Sequence, residues 1–167
     1  MATEILENLI IIKSSEKTKE AVLKELSEAA MEAGYAKPGH YQALLERENK
    51  YPTGLHLPNI DVAIPHADPE WANESSVTIG ILDEPVKFKP MGDEGDDVHA
   101  DLVFMLTILD PKEHIDFLRA FSILMSKQSE LLVEFSETGD ISPIIELLRK
   151  GIPDRKKLLQ EKPTYNE

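Results

Sequence analysis

No cysteine occurs among the 167 residues. Disulfides, thiolate nucleophiles and Cys-ligated zinc are thereby excluded, and the usage is compatible with a cytosolic setting. No apolar run approaches the ~20 residues of a membrane span. Met1-Ala2-Thr3-Glu4 has no basic stretch leading into an apolar one, so no secretory signal is expected. Positive charge is scarce: 18 Lys and Arg stand against 31 Asp and Glu, a net charge of −13. That balance argues against nucleic acid and anionic membrane surfaces as partners. It suits a partner with a basic face, or simply solubility. No Gly-rich phosphate loop is present, which argues against direct use of ATP. His56, His66, His99 and His114 combine with Asp61, Asp68 and Asp101 in no ligand spacing of the His-Glu-x-x-His kind. The acidic stretch Asp93 to Asp97 has its glycine in the wrong place for an EF-hand. Neither metal nor cofactor is expected, and there is no internal repeat or low-complexity segment.

What remains is a chain of single-domain length with 41% hydrophobic residues. Asn8 to Ile12 reads as a short buried strand. Ser14-Ser15-Glu16 offers a cap for a helix carrying Val22, Leu23, Leu26, Ala29, Ala30 and Ala33 and ending at Gly34. Tyr41 to Arg47 predicts a second helix, and Tyr51 to Asn59 a turn and an irregular connection. Val62-Ala63-Ile64 reads as a strand stopped by Pro65, which cannot donate to a ladder. His66 is left at its mouth. Ala67 to Glu74 is polar loop, Ser76 to Leu82 a strand, and Pro85 to Pro90 a separate edge strand. Leu102 to Leu109, the longest apolar run, is expected to be the central strand. Asp110-Pro111 is an N-cap followed by a first-turn proline, opening a helix with Ile115, Leu118, Phe121 and Met125 on its stripe. Gln128 to Phe135 and Asp140 to Lys150 read as two further helices. Residues 1–151 make up the expected domain, and 152–167 a charged tail. Alternation of strands and helices predicts an α/β fold: a mixed, mostly parallel sheet flanked by helices on both faces.

In such folds, sites form in loops at strand ends, and both His66 and His114 lie just past strands. Phosphoryl transfer through histidine needs a neutral imidazole, a partner fixing one ring nitrogen, and positive charge for the phosphoryl oxygens. His66 is the candidate nucleophile. Arg47 offers a planar fork of donors for phosphate oxygens, His114 an auxiliary imidazole, and Thr53 a hydroxyl donor. By residue type alone each has a blander role: a filler histidine, a solvated helix end, a helix N-terminus, a turn. Leu55, Ile64 and Trp71 are candidates for an apolar rim around His66.

Arg47-Glu48, then Pro52-Thr53-Gly54-Leu55, then Val62-Ala63-Ile64-Pro65-His66, with Glu113-His114-Ile115 later, resembles the enzyme IIA domains of the bacterial sugar phosphotransferase system, fructose–mannitol superfamily. The likeness runs from about Asn8 to Gly151. It implies a cytoplasmic phosphotransferase component in which His66 accepts a phosphoryl group from the phosphocarrier protein HPr and passes it to an enzyme IIB. His114 would be auxiliary and Arg47 would stabilise charge. Tyr51-Pro52-Thr53-Gly54-Leu55 and the Gly92 to Val98 loop are most similar to the galactitol branch. A free-standing regulatory module, signalling its phosphorylation state to other proteins, is the alternative the resemblance leaves open.

Overall fold

Leu102 to Leu106 is apolar without alternation because it is buried on both faces. The computed structural model describes residues 4–152; most of the expected tail lies outside the described residues. The elements are α1 (Glu4–Glu7), β1 (Leu9–Ser14), α2 (Lys19–Glu32), α3 (His40–Lys50), β2 (Gly54–Leu57), β3 (Ile60–Ala63), β4 (Ser76–Phe88), β5 (Val98–Thr107), α4 (Pro111–Lys127), α5 (Ser129–Thr138) and α6 (Ser142–Gly151). Short 3-10 turns lie at Pro69–Trp71 and Met91–Asp93. The sheet order is β1-β4-β5-β3-β2, so β5 is central, as its apolar run predicts. β1 with β4 and β3 with β5 run parallel; β4 with β5 and β2 with β3 run antiparallel. The expected single-domain α/β fold is what forms, and among the described residues no helix is long and apolar enough to cross a membrane.

Each face of β5 feeds one core. Leu102, Phe104 and Leu106 point to the side covered by α4, α5 and α6, where they meet Phe117, Phe121, Leu132 and Phe135. The rings of Phe104 and Phe121 lie 4.8 Å apart. Val103 and Met105 point to the other side, against Val22, Leu23 and Leu26 of α2 and Leu44 of α3. Burying each such side chain contributes about 1.5–3 kcal/mol, and helices on both faces leave the loops at the strand ends free to build a site.

Several expectations are corrected. Ser14 belongs to β1, and Thr18 caps α2, its hydroxyl accepting from Ala21 N at 3.1 Å. β1 is an edge strand with Ile11 37% exposed, which its run of isoleucines does not announce. Tyr51 to Asn59 is not all irregular: Gly54–Leu57 pairs with β3 in a hairpin turned at Pro58-Asn59, where Asn59 takes φ 68°. Asparagine tolerates that left-handed geometry, and hairpin turns favour it. Val86–Phe88 is no separate edge strand but the far half of β4, paired to Val98–Ala100. Pro85 falls in the register shift after Ile81, where a missing donor breaks no ladder bond. Gly54 admits no side chain, since a Cβ there would lie 2.6 Å from the Lys89 carbonyl oxygen.

Candidate functional site

β3 ends at Ala63, but Ile64-Pro65-His66 continues alongside β5 under tight restraint. Pro65 has no N–H, yet its carbonyl accepts from Leu106 N at 3.0 Å. Ile64 N donates to the Thr53 hydroxyl at 3.1 Å. His66 is therefore carried on backbone held from both sides. Its Nδ1 lies 3.3 Å from the Ile64 carbonyl. A carbonyl only accepts, so the ring proton sits on Nδ1 and Nε2 keeps its lone pair.

His114 enters from the opposite wall. The Asp110 carboxylate caps α4 by accepting from Lys112 N at 2.9 Å, with Pro111 in the first turn, as the sequence predicts. Ser75 pins this helix start to the sheet: its hydroxyl donates to Glu113 Oε1 and accepts from Leu109 N, both at 3.0 Å. The His66 and His114 rings stand edge to face, 4.7 Å between centroids. Arg47, from the last turn of α3, pairs with Asp68 at 3.1 Å and lies 5.5 Å from the centre of the Tyr51 ring. Arg47, His66 and His114 line one cleft of about 80 Å³, closed by Ala67, Leu106 and Pro111 among others. That is well below the roughly 300 Å³ at which small-molecule pockets begin. A shallower hollow of about 370 Å³ adjoins it across Arg47 and His66, reaching Tyr51 and Met91.

Burial first, then the neighbouring His114 and Arg47, pushes the His66 pKa down to about 4, against the opposing pull of the Ile64 carbonyl and Asp68. His114 is lowered by burial and then by Arg47. Both imidazoles are thus neutral at pH 7. Neutral nitrogens beside a fixed guanidinium favour an arriving dianion and leave a lone pair to meet it.

The structure brings three of the four expected site residues to one cleft. Thr53 lines the adjoining hollow with Arg47 and His66, and its hydroxyl donates to Glu48 Oε1 at 2.9 Å and accepts from Ile64 N. Asp68, Glu48 and Ser75 are neighbours that residue typing misses. Only Glu48 left a sequence signal, as one of two adjacent charges at a helix end whose faces must differ. The expected rim is corrected. Ile64 and Leu55 pack into the core, and Trp71 covers Gly39, where a Cβ would meet its ring at 2.7 Å. Those side chains sit on the inward face of the strand or over a loop the sequence does not place. His56 is paired with Asp61 at 3.0 Å and with the Asp96 carbonyl at 3.1 Å. Among the described residues no three His, Asp or Glu groups converge to hold a metal.

His40 has a separate consequence. It is 1% exposed, shares a 2.7 Å hydrogen bond with Ser27, and burial lowers its pKa to about 4. Unfolded histidine titrates near ~6.5. Between those values the unfolded chain takes up a proton that folded His40 refuses, so this group weakens folding as pH falls from 6.5 towards 4. Glu48, raised by burial to about 7, acts oppositely, strengthening folding as pH falls. A His40→Asn chain, which keeps an acceptor for Ser27, is expected to lose less stability over this range than the wild type. The gap should reach about 3 kcal/mol by pH 4 and vanish above pH 6.5. Urea unfolding at a series of pH values measures it; parallel curves would contradict it.

Residues 4–151 match the family described as phosphoenolpyruvate-dependent sugar phosphotransferase system, EIIA 2. The galactitol-specific EIIA component of Escherichia coli K12 is 33% identical over 78 residues, 47% of this chain and 51% of that protein. The chain thus spans about half the length of these curated relatives. The mannitol-specific EIICBA component of the same strain is 29% identical over 135 residues, 78% of this chain and 20% of that protein. Among solved structures, IIA of the mannitol system in complex with phosphorylated IIB, from Escherichia coli, superposes with TM-score 0.67 at 26% identity, covering 86% of this chain and 95% of that one. A family match over nearly the whole described length, on a fold shared with a solved IIA, leaves one assignment: the chain belongs to the EIIA 2 family of the phosphoenolpyruvate-dependent sugar phosphotransferase system.

Proposed function

We propose that this chain is a cytoplasmic phosphoryl relay in which His66 Nε2 carries the group between two protein partners. The observation that supports it most is the His66 ring itself, with Nδ1 committed to the Ile64 carbonyl and the ring facing His114 and Arg47 across one cleft. In the forward step the Nε2 lone pair attacks phosphorus on the phosphohistidine of HPr. The donor's P–N bond breaks, and its electron pair returns to the donor imidazole. His66 keeps its Nδ1 proton throughout, so no base is required. Arg47 and His114 meet the phosphoryl oxygens. The nucleophile of an enzyme IIB, a cysteine or histidine, then attacks the same phosphorus, and the His66 P–N bond breaks in turn.

The partner reading has support in the mannitol IIA that was solved with phosphorylated IIB. Tyr51, Met91, Leu109 and Ile115 are exposed apolar residues; the first two border the hollow and the last two flank α4's start, which suits brief contacts that exclude water. Galactitol is the favoured sugar, on the 33% identity to the galactitol-specific component and on the Tyr51-Pro52-Thr53-Gly54 turn. Incubation with phospho-HPr should leave an acid-labile, base-stable phosphate on this chain, on Nε2 by nitrogen–phosphorus coupling in NMR. Delivery should be faster to a galactitol IIB than to a mannitol IIB. A wild-type chain that stays unlabelled overturns the relay; equal delivery to both overturns the sugar.

A further inference from the structure

The cleft has a buried backing that the transfer steps leave unused. Glu48 follows Arg47 in α3 yet turns inward and is 2% exposed. Its Oε2 accepts from Thr53 N at 2.9 Å and its Oε1 from the Thr53 hydroxyl at 2.9 Å. That hydroxyl accepts from Ile64 N at 3.1 Å, and the Ile64 carbonyl accepts from His66 Nδ1 at 3.3 Å. A line of hydrogen bonds, made on either side of the Ile64 backbone, therefore links the helix that bears Arg47 to the reacting imidazole.

We infer that Glu48 and Thr53 are positioning residues for His66, holding the Ile64 backbone so that its carbonyl sets the ring's rotation and keeps the proton on Nδ1. The inference rests on the relay reading of the same site. The direction of the line is what calls for an acid. Thr53 offers two donors, N–H and O–H, and a carboxylate offers two acceptors. Because the hydroxyl proton goes to Glu48, the hydroxyl oxygen is free to accept from Ile64 N. Glutamine would set its NH2 against one of the two Thr53 donors and either orphan the amide or turn the hydroxyl away from Ile64. Burying a carboxylate is costly. Burial raises this one to about 7, partly offset by both Thr53 bonds, so the two-acceptor form that the line needs prevails above that pH. The same line also ties two site groups together, since Glu48 and Arg47 are neighbours on one helical turn.

Two measurements on the full chain test this. Phosphoryl uptake from phospho-HPr should slow by about 10- to 100-fold in Glu48→Gln and Thr53→Val, in kcat with KM for phospho-HPr unchanged. Thr53→Ser, which keeps the hydroxyl, should restore most of the rate. In nitrogen-15 NMR of the unphosphorylated protein, His66 should be the Nδ1–H tautomer in the wild type and in Thr53→Ser, and a tautomer mixture in Thr53→Val. Wild-type rates and an unmoved His66 spectrum in Glu48→Gln and Thr53→Val overturn the inference. So does a slow variant whose His66 spectrum is intact, because that marks a merely structural role. If Glu48→Gln does not fold, the valine and serine pair carries the test alone. If the wild type takes up no phosphoryl group, the relay reading fails, while the tautomer measurement still decides the role of Thr53.

Discussion

A His66→Ala chain is expected to take up no phosphoryl group from phospho-HPr, a fall of ~10⁴-fold or more and below detection in practice, as for loss of any covalent nucleophile. The folded state should survive. The side chain is only partly buried, its one hydrogen bond is long, and truncation removes a desolvated ring on which the fold does not rest. Far-UV circular dichroism and the unfolding midpoint should stay near wild type while a radiolabel disappears. Residual label would locate the carrier elsewhere, and His114, 4.7 Å away, is the first position to substitute next.

Arg47→Ala is the second large effect. Forward and reverse transfer should both fall by about 10²- to 10³-fold, the scale for removing one preorganised donor from a developing charge. Stability should change by less than about 1 kcal/mol, because the Arg47–Asp68 pair is solvent-exposed, at 37% and 62%. Arg47→Lys should recover only part of the rate: an ammonium is a point charge on a flexible stem, without the guanidinium's fork. Rapid-quench measurement in both directions decides it. Unchanged rates would reduce Arg47 to a partner of Asp68 and Tyr51.

Apolar patterning, which four-residue α1 is too short to carry, predicts α2 to α6 and the central strand because each buries much apolar surface. It also found the Asp110 cap, whose chemistry is local. It failed where a side chain's surroundings come from elsewhere in the chain. β1 looks interior from its isoleucines, but an edge position is decided by what lies beside it. Val86–Phe88 looks like its own strand because Pro85 interrupts the pattern, while the pairing runs on past the bulge. At the site, the resemblance nominated His66, His114 and Arg47, and folding brings them to one cleft. Residue identity says nothing of which groups stand behind them. Asp68 and Ser75 became visible only through long-range contacts, and Trp71 was misplaced because a loop's path is not written in its composition.

The parallel pairing of β3 with β5 has one more implication. His66 meets His114 only after segments some fifty residues apart have docked and α4 has packed on its face of the sheet. Closing such distant contacts costs loop entropy and slows folding. A copy in which β3 and β5 are not paired therefore lacks the constellation that the proposed relay needs.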